Sequence, residues 1–312
     1  MKLKYIILSA VISLLIWSIL FLFVLKKELT VGLYRGAFEL KTTHAEKSAS
    51  HRFFIIAGSN GLYSHDAETF EKALNMPSTN LSVAVMFSLN YLLERYRDLL
   101  KDGDVVYLPL EYLNYTGKSG GSFGDIYDIT IEKNFSKLTP RRLYNCFSKF
   151  DVSTLIESVF EQMLVSVGFK PLVTEKSLTP YGDMAENTLE NAKSYQHFIN
   201  SIPPAKVEFI VADPSIKEFL QWAGGRNITV IGGLPTTFDD TDLSPEVQHR
   251  IEETFTGNGA LFITAPNRSL YPRKDFFDTS YHLLRHAQIR HSGIIAGEML
   301  KKYPQLFPKA GK

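Results

Sequence analysis

The chain has 312 residues, of which 45% are hydrophobic and 21% charged, and its formal net charge is +1. This composition supports a full hydrophobic core and excludes the basic field that nucleic-acid binding requires. A single cysteine, Cys146, excludes an intrachain disulfide and a multi-cysteine metal site, and reads as a small core hydrophobe.

The amino terminus carries the first strong signal. Tyr5 to Leu25 reads YIILSAVISLLIWSILFLFVL without one charged residue, with Lys2 and Lys4 before it and Lys26 and Lys27 after it. About 20 apolar residues span a bilayer as a helix. A cleaved signal peptide has a shorter apolar stretch followed by a small-x-small site, which LKKELT does not offer. The expectation is a retained anchor over residues 1–28. The flanking lysines balance, so they do not orient it. Residues 29–50 read as a juxtamembrane connector.

From residue 51 short apolar runs alternate with helical patterns. Phe53–Ala57 predicts a buried strand that stops at Gly58-Ser59-Asn60-Gly61. Asp66 caps a helix to about Leu74. Strands follow at 80–85 and 104–108, separated by a helix over 88–100. Residues 117–124 read as a Gly/Ser-rich loop, 152–168 and 185–201 as helices, and 178–183 as a loop. The alternation resumes with strands at 207–211, 228–231 and 261–264. Helices lie between them at 215–223 and 244–255, the latter with Pro245 in its first turn. A helix over 280–301 closes the chain. Together these predict an α/β domain over 51–312, with a mostly parallel sheet covered on both faces and a helical insertion at about 125–200.

Two places can carry chemistry. Ser59 stands in the turn after the first strand, at the carboxyl end of a parallel sheet, among amides able to hold an oxyanion. Asp278 and His282 stand four apart at the start of the last helix, where a carboxylate can orient a base. The plainer alternatives are a tight turn that needs Gly and Ser, and a capping Asp beside a surface His. His282 and His286 have metal-ligand spacing with Asp278 as a third ligand, although no glutamate follows the first His as in zinc proteases. His65-Asp66 reads as a helix cap and His291 as a solvated side chain. Tyr112 and Tyr115 are candidates to stack on sugar rings, and Glu111 is a third-strand residue without an assigned role.

IIAGSNGLYS, LLKDGDVVYLPLEY, LTPYGDMAEN and FFDTSYHLLRHAQIRHSG together resemble the SGNH (GDSL-like) hydrolases, in the membrane-anchored form similar to envelope polysaccharide O-acetylation proteins. The resemblance implies an SGNH-type α/β fold with Ser59 as nucleophile, His282 as base and Asp278 as its partner. Asn114 and Asn60 would be oxyanion donors, with no metal and no cofactor. It further implies serine-dependent O-acyl transfer or ester hydrolysis on an envelope polysaccharide, by a single-pass inner-membrane protein with its domain in the periplasm. Its partner would be a multi-span acyltransferase or a polysaccharide synthase. The family's Gly-Asp-Ser block reads Ala57-Gly58-Ser59 here, and its Gly-x-Asn-Asp block is replaced by LEYLNY. A non-catalytic SGNH-like subunit of the same machinery is therefore the alternative.

Overall fold

Residues 53–55, 78–80, 105–109, 229–233 and 261–263 are short runs with nearly every side chain buried, as strands covered on both faces must be. A computed structural model describes residues 2–26, 28–48, 50–117, 124, 140 and 175–308. Cys146, the helix expected over 152–168 and most of the expected insertion lie outside these described residues, as does the loop at 118–123.

The runs form β1 (Phe53–Ile55), β2 (Ser78–Asn80), β3 (Val105–Pro109), β4 (Thr229–Gly233) and β6 (Leu261–Ile263). They pair in the order β2-β1-β3-β4-β6, and every pairing is parallel. The order changes direction between β1 and β3. In open parallel sheets the crevice at such a point, beyond the carboxyl ends of the strands, is where ligands bind. A two-stranded parallel pair, β5 (Thr237–Phe238) with β7 (Leu270–Tyr271), stands beside it and was not expected.

Nine helices and short turns of 3-10 helix complete the domain's described residues. They are α2 from Ala37 onward (the helix runs Glu28–Glu46), α3 (Ser59–Ser64), α4 (Ala67–Leu74), α5 (Leu89–Tyr96), α6 (Leu189–Ala192), α7 (Gln196–Ser201), α8 (Pro214–Gly224), α9 (Pro245–Thr256) and α10 (Arg285–Lys302), with α2 counted as shared. Side chains alternate across β1. Phe53 and Ile55 join Phe70 of α4 and Ile295 and Met299 of α10 in the main core, together with Tyr107, Ile231 and Ile263. Helices α8 and α9 pack on β4, and α8 also packs on α5. Local chemistry sets the starts of these helices. Asp66 accepts the Thr69 amide, Asp213 that of Ser215 ahead of Pro214, and Ser244 that of Val247 ahead of Pro245.

The amino edge of the sheet is locked by a buried ion pair. Arg52 Nη2 meets Asp104 Oδ2 at 2.6 Å, one residue ahead of β1 and β3 respectively, with both side chains almost wholly buried. The same guanidinium donates to the carbonyls of Ala45 and Leu99, at the ends of α2 and of the α5 segment.

Several expected elements differ. Residues 207–211 form no strand. Val211 makes one bridge to Thr116, and the amides of Ile210 and Val211 both reach Tyr115 O. The strand expected over 80–85 ends at Asn80. The closing helix begins at Arg285 rather than Ser280, because Phe276 pairs antiparallel with Leu283 and draws the residues between into a hairpin. Asp278 and His282 therefore lie on a loop. The aromatic candidates Tyr112 and Tyr115 are buried, so they offer no sugar platform. His291, expected in solvent, is fully buried on α10 with Nδ1 at 2.9 Å from the Tyr271 hydroxyl.

The division of the chain falls inside α2. Met1–Gly36 with Asp125–Glu175 form one unit, and Ala37–Gly124 with Lys176–Lys312 form the other. In the first, α1 (Lys2–Lys26) exposes Leu3, Ile6, Leu14, Leu15 and Ile19 among others. Side-chain surroundings on α1 are described as far as Ile19, and among the described residues no helix is long and apolar enough to cross a membrane. In the second unit, Ala37, Phe38, Lys41 and Ala45 are buried, so the expected connector contributes to the core. The Lys41 ammonium donates to Asn80 O at 2.7 Å and to Gly182 O. Burial lowers its pKa and raises that of Asp183, while each charge partly offsets the other's shift.

These features give two expectations for stability. A chain beginning near residue 33 should unfold cooperatively, whereas one beginning at residue 50 should lose several kcal/mol. Phe38→Ala alone should cost about 3–5 kcal/mol in urea unfolding, the usual range for a buried Phe. No change in midpoint would show that α2 is not part of the folding unit.

The second concerns acid. Burial drives His65 down to about 3 and His291 well below its ordinary value, with a weak opposing interaction from the Asn60 backbone at His65. Both histidines are neutral when folded and take up protons near pH 6.5 when unfolded. Stability is thus fully present above that pH and is lost as pH falls toward the folded values, by about 1 kcal/mol per pH unit for each. Among the described residues, neither ring nitrogen of His65 has a side-chain or backbone hydrogen-bond partner within bonding geometry. His65→Phe should therefore flatten the acid slope by about one proton; an unchanged slope would mean that His65 is protonated in the native state.

Candidate active site

The site is built from the ends of β1 and β3 and from the 276–283 hairpin. Beyond β1 the chain runs Ile56-Ala57-Gly58, and Ala57 N donates to Ser82 Oγ at 3.0 Å. Ser59, half-buried, is the first residue of α3. Gly58 has a steric reason: a Cβ there would overlap Glu111 Oε1.

Four residues after Ser59, and so on the same face of α3, stands Tyr63. The His282 ring lies flat on the Tyr63 ring, with centroids 4.0 Å apart and planes within 8°. Phe277 stacks on Tyr63 at 6.0 Å. The hairpin is fastened to α3 one residue later, where Ser64 Oγ donates to Tyr281 O at 2.7 Å and accepts from Leu283 N at 3.2 Å. Within the hairpin His282 Nδ1 lies 2.6 Å from Asp278 Oδ1. Asp278 thus engages the nitrogen that orients the ring and leaves Nε2 as the one able to take a proton. Both side chains are mostly buried, which strengthens the pair relative to one in open water.

The Asp278–His282 pair is therefore packed against α3, the helix that Ser59 opens at the carboxyl edge beside the switch between β1 and β3. Among the described residues Ser59 Oγ makes no hydrogen bond, to His282 or to any other group. Such contacts are often long before substrate binds and tighten only in the complex.

The expected oxyanion donors are placed otherwise. Asn60 is fully buried; its Nδ2 donates to Pro109 O at 2.9 Å and its Oδ1 accepts from Thr236 N and Oγ1 at 3.1 and 2.9 Å. Its side chain is a structural cross-link. Asn114 sits on a turn of 3-10 helix after β3, and its Nδ2 donates back to Glu111 O at 3.0 Å. Glu111, whose role the sequence left open, is central here. Its carboxylate accepts the Gly58 amide at 3.2 Å and the Asn60 amide at 3.0 Å, on either side of Ser59. Burial raises its pKa, opposed by backbone hydrogen bonds, among them those from Asn60 and Gly58, and by the charge of nearby His282.

No signal in the sequence marks Glu111 as the partner of the Ser59 turn. The contact joins two strand ends 53 and 51 residues apart in the chain. The spacing of His282 and His286 does not make a metal site either. His286 lies 3.7 Å from Asp275 while His282 pairs with Asp278, and among the described residues no cluster of three or more His, Cys, Asp or Glu could hold a metal ion.

No protein-family model matches the sequence, and no curated protein matches it.

Proposed function

We propose that the domain is an SGNH-type serine acyl transferase or esterase acting on an envelope polysaccharide, with Ser59 as nucleophile, His282 as base and Asp278 as its orienting carboxylate. The observation that carries this reading is the 2.6 Å Asp278–His282 pair held flat on Tyr63, one turn along α3 from Ser59. In this mechanism Ser59 Oγ bonds to the ester carbonyl carbon and its proton passes to His282 Nε2. Collapse of the tetrahedral adduct expels the alcohol, which takes that proton. Water or a sugar hydroxyl then attacks the acyl-enzyme, giving its proton to His282, and Ser59 leaves with a proton returned from it. The polysaccharide, and a multi-span acyltransferase or polysaccharide synthase as partner, come from the resemblance alone.

The same reading places the protein in the inner membrane, held by α1 with its domain in the periplasm. Its support is the uncharged run from Tyr5 to Leu25 within a helix of 25 residues on which Leu3, Ile6, Leu14, Leu15 and Ile19 are among the exposed apolar side chains. A helix apolar on all sides needs either a protein interior or a bilayer around it. Protease added to spheroplasts should digest the domain; digestion only after lysis would reverse the orientation.

A second reading, a non-catalytic SGNH-like subunit, is favoured by one observation. The side-chain amides of Asn60 and Asn114, and the backbone amides of Gly58 and Asn60, are all engaged.

Acylation of Ser59 separates the two. Incubation with an activated acetyl ester should add about 42 Da, one acetyl group, to the peptide carrying Ser59. The adduct should be absent from Ser59→Ala. Asp278→Asn should leave folding intact and slow acylation by roughly a hundredfold or more, because the imidazole loses its tautomer and orientation. Absence of the adduct from the folded wild-type protein, together with no turnover, would favour the non-catalytic subunit.

A further inference from the structure

Glu111 occupies the backbone amides on either side of Ser59. Its carboxylate is almost fully buried and holds the amides of Gly58 and Asn60, the residues before and after Ser59. Its backbone carbonyl takes both the amide and the side-chain Nδ2 of Asn114, at 2.9 and 3.0 Å. The one remaining candidate donor, Asn60 Nδ2, is spent on Pro109 O. The amides of Gly58 and Asn60 and both nitrogens of Asn114 are therefore held by a single residue. The approach is specific, since the lack of a Cβ at Gly58 is what admits Oε1.

The chemistry of this contact resembles that of the step it would obstruct. A carboxylate oxygen seated on peptide N–H groups presents the same charge to the same donors as the oxyanion of a tetrahedral adduct. With Glu111 ionised and in place, an oxyanion forming at Ser59 would meet a like charge and no vacant donor among these groups.

We propose that Glu111 is a built-in occupant of the oxyanion site, so that Ser59 is latent in this conformation and an acyl ester reaches the turn amides only when the Glu111 carboxylate is displaced or neutralised. This rests on Ser59 being the nucleophile. The opposite role, a buried acid that merely holds the turn in its working shape, predicts the opposite effect of removing it.

The test is the rate at which full-length protein in detergent reacts with an alkyl fluorophosphonate. In that reaction Ser59 Oγ bonds to phosphorus, the P–F bond breaks, fluoride leaves, and the serine proton passes to His282. Wild type, Ser59→Ala, Glu111→Gln and Glu111→Ala are compared, with thermal unfolding as the control for folding. Glu111→Gln keeps the shape and removes the charge, while Glu111→Ala empties the site. Labelling at Ser59 should be roughly tenfold or more faster in both variants than in wild type. The gap should narrow as pH falls and Glu111 gains its proton, which a purely structural role would not produce. If wild type labels at Ser59 and the folded variants label at the same rate or more slowly, the occupant role is overturned while the serine reading stands. If no folded variant labels at Ser59, the serine reading fails and the role of Glu111 fails with it.

Discussion

The carboxyl edge of the sheet depends on one buried amide. Asn60 joins three strand ends at once: it sits in the turn after β1, donates to the last residue of β3 and accepts from Thr236 beyond β4. All of these groups are buried, so losing the amide would strand the Pro109 carbonyl and the Thr236 N–H, each at a cost of about 1–3 kcal/mol. Thr236 Oγ1 also lies within hydrogen-bond distance of Ser64 Oγ and of Tyr281 O. Through these bonds α3, with Ser59 at its start, and the hairpin carrying Asp278 and His282 are referred to the same sheet.

Around that frame the charged groups fall into two sets. Asp278 pairs with His282 in partial contact with water, where a proton can come and go. Glu111, Asp183 and Lys41 are buried, and burial is the leading cause of each pKa shift. Asp183 accepts the Ala67 amide and Asn80 Nδ2, each at 3.0 Å, and Asn80 Nδ2 in turn reaches the carbonyls of Gly61 and His65. The LTPYGDMAEN stretch thus supports α3 and α4, and its last residue, Asn187, donates to Tyr63 O and to Leu283 O in the hairpin. Such networks stabilise when every member is satisfied and are costly when one is removed.

Much of the fold was legible because its signals are local. Apolar runs bounded by turn residues marked β1, β3, β4 and β6, and the cap Asp66 and the first-turn Pro245 gave helix starts. The failures come from tertiary effects. Val207–Val211 has strand composition, yet its amides turn to Tyr115 O. The Asp278–His282 spacing suits a helix, but pairing of Phe276 with Leu283 makes it a hairpin. Of the site, the residue types at 59, 278 and 282 could be read from strand ends and spacing. The engagement of Asn60 and Asn114 could not, since an amide's partner is set by chain segments that only the fold brings near. Glu111 and the burial of His291 were hidden for the same reason.

The ion pair at the opposite edge has a mechanical consequence. Arg52 and Asp104 bind charge to charge in a place water does not reach, and they gather the ends of α2 and α5 with them. Separating such a pair leaves an uncompensated charge, so that edge behaves as a weld. The bonds that hold the Ser59 turn are of another kind, amides on a carboxylate whose place a ligand oxygen could take in direct exchange. The two edges of the sheet are therefore closed by different chemistry, a charge pair at one and amide-to-oxygen hydrogen bonds at the other.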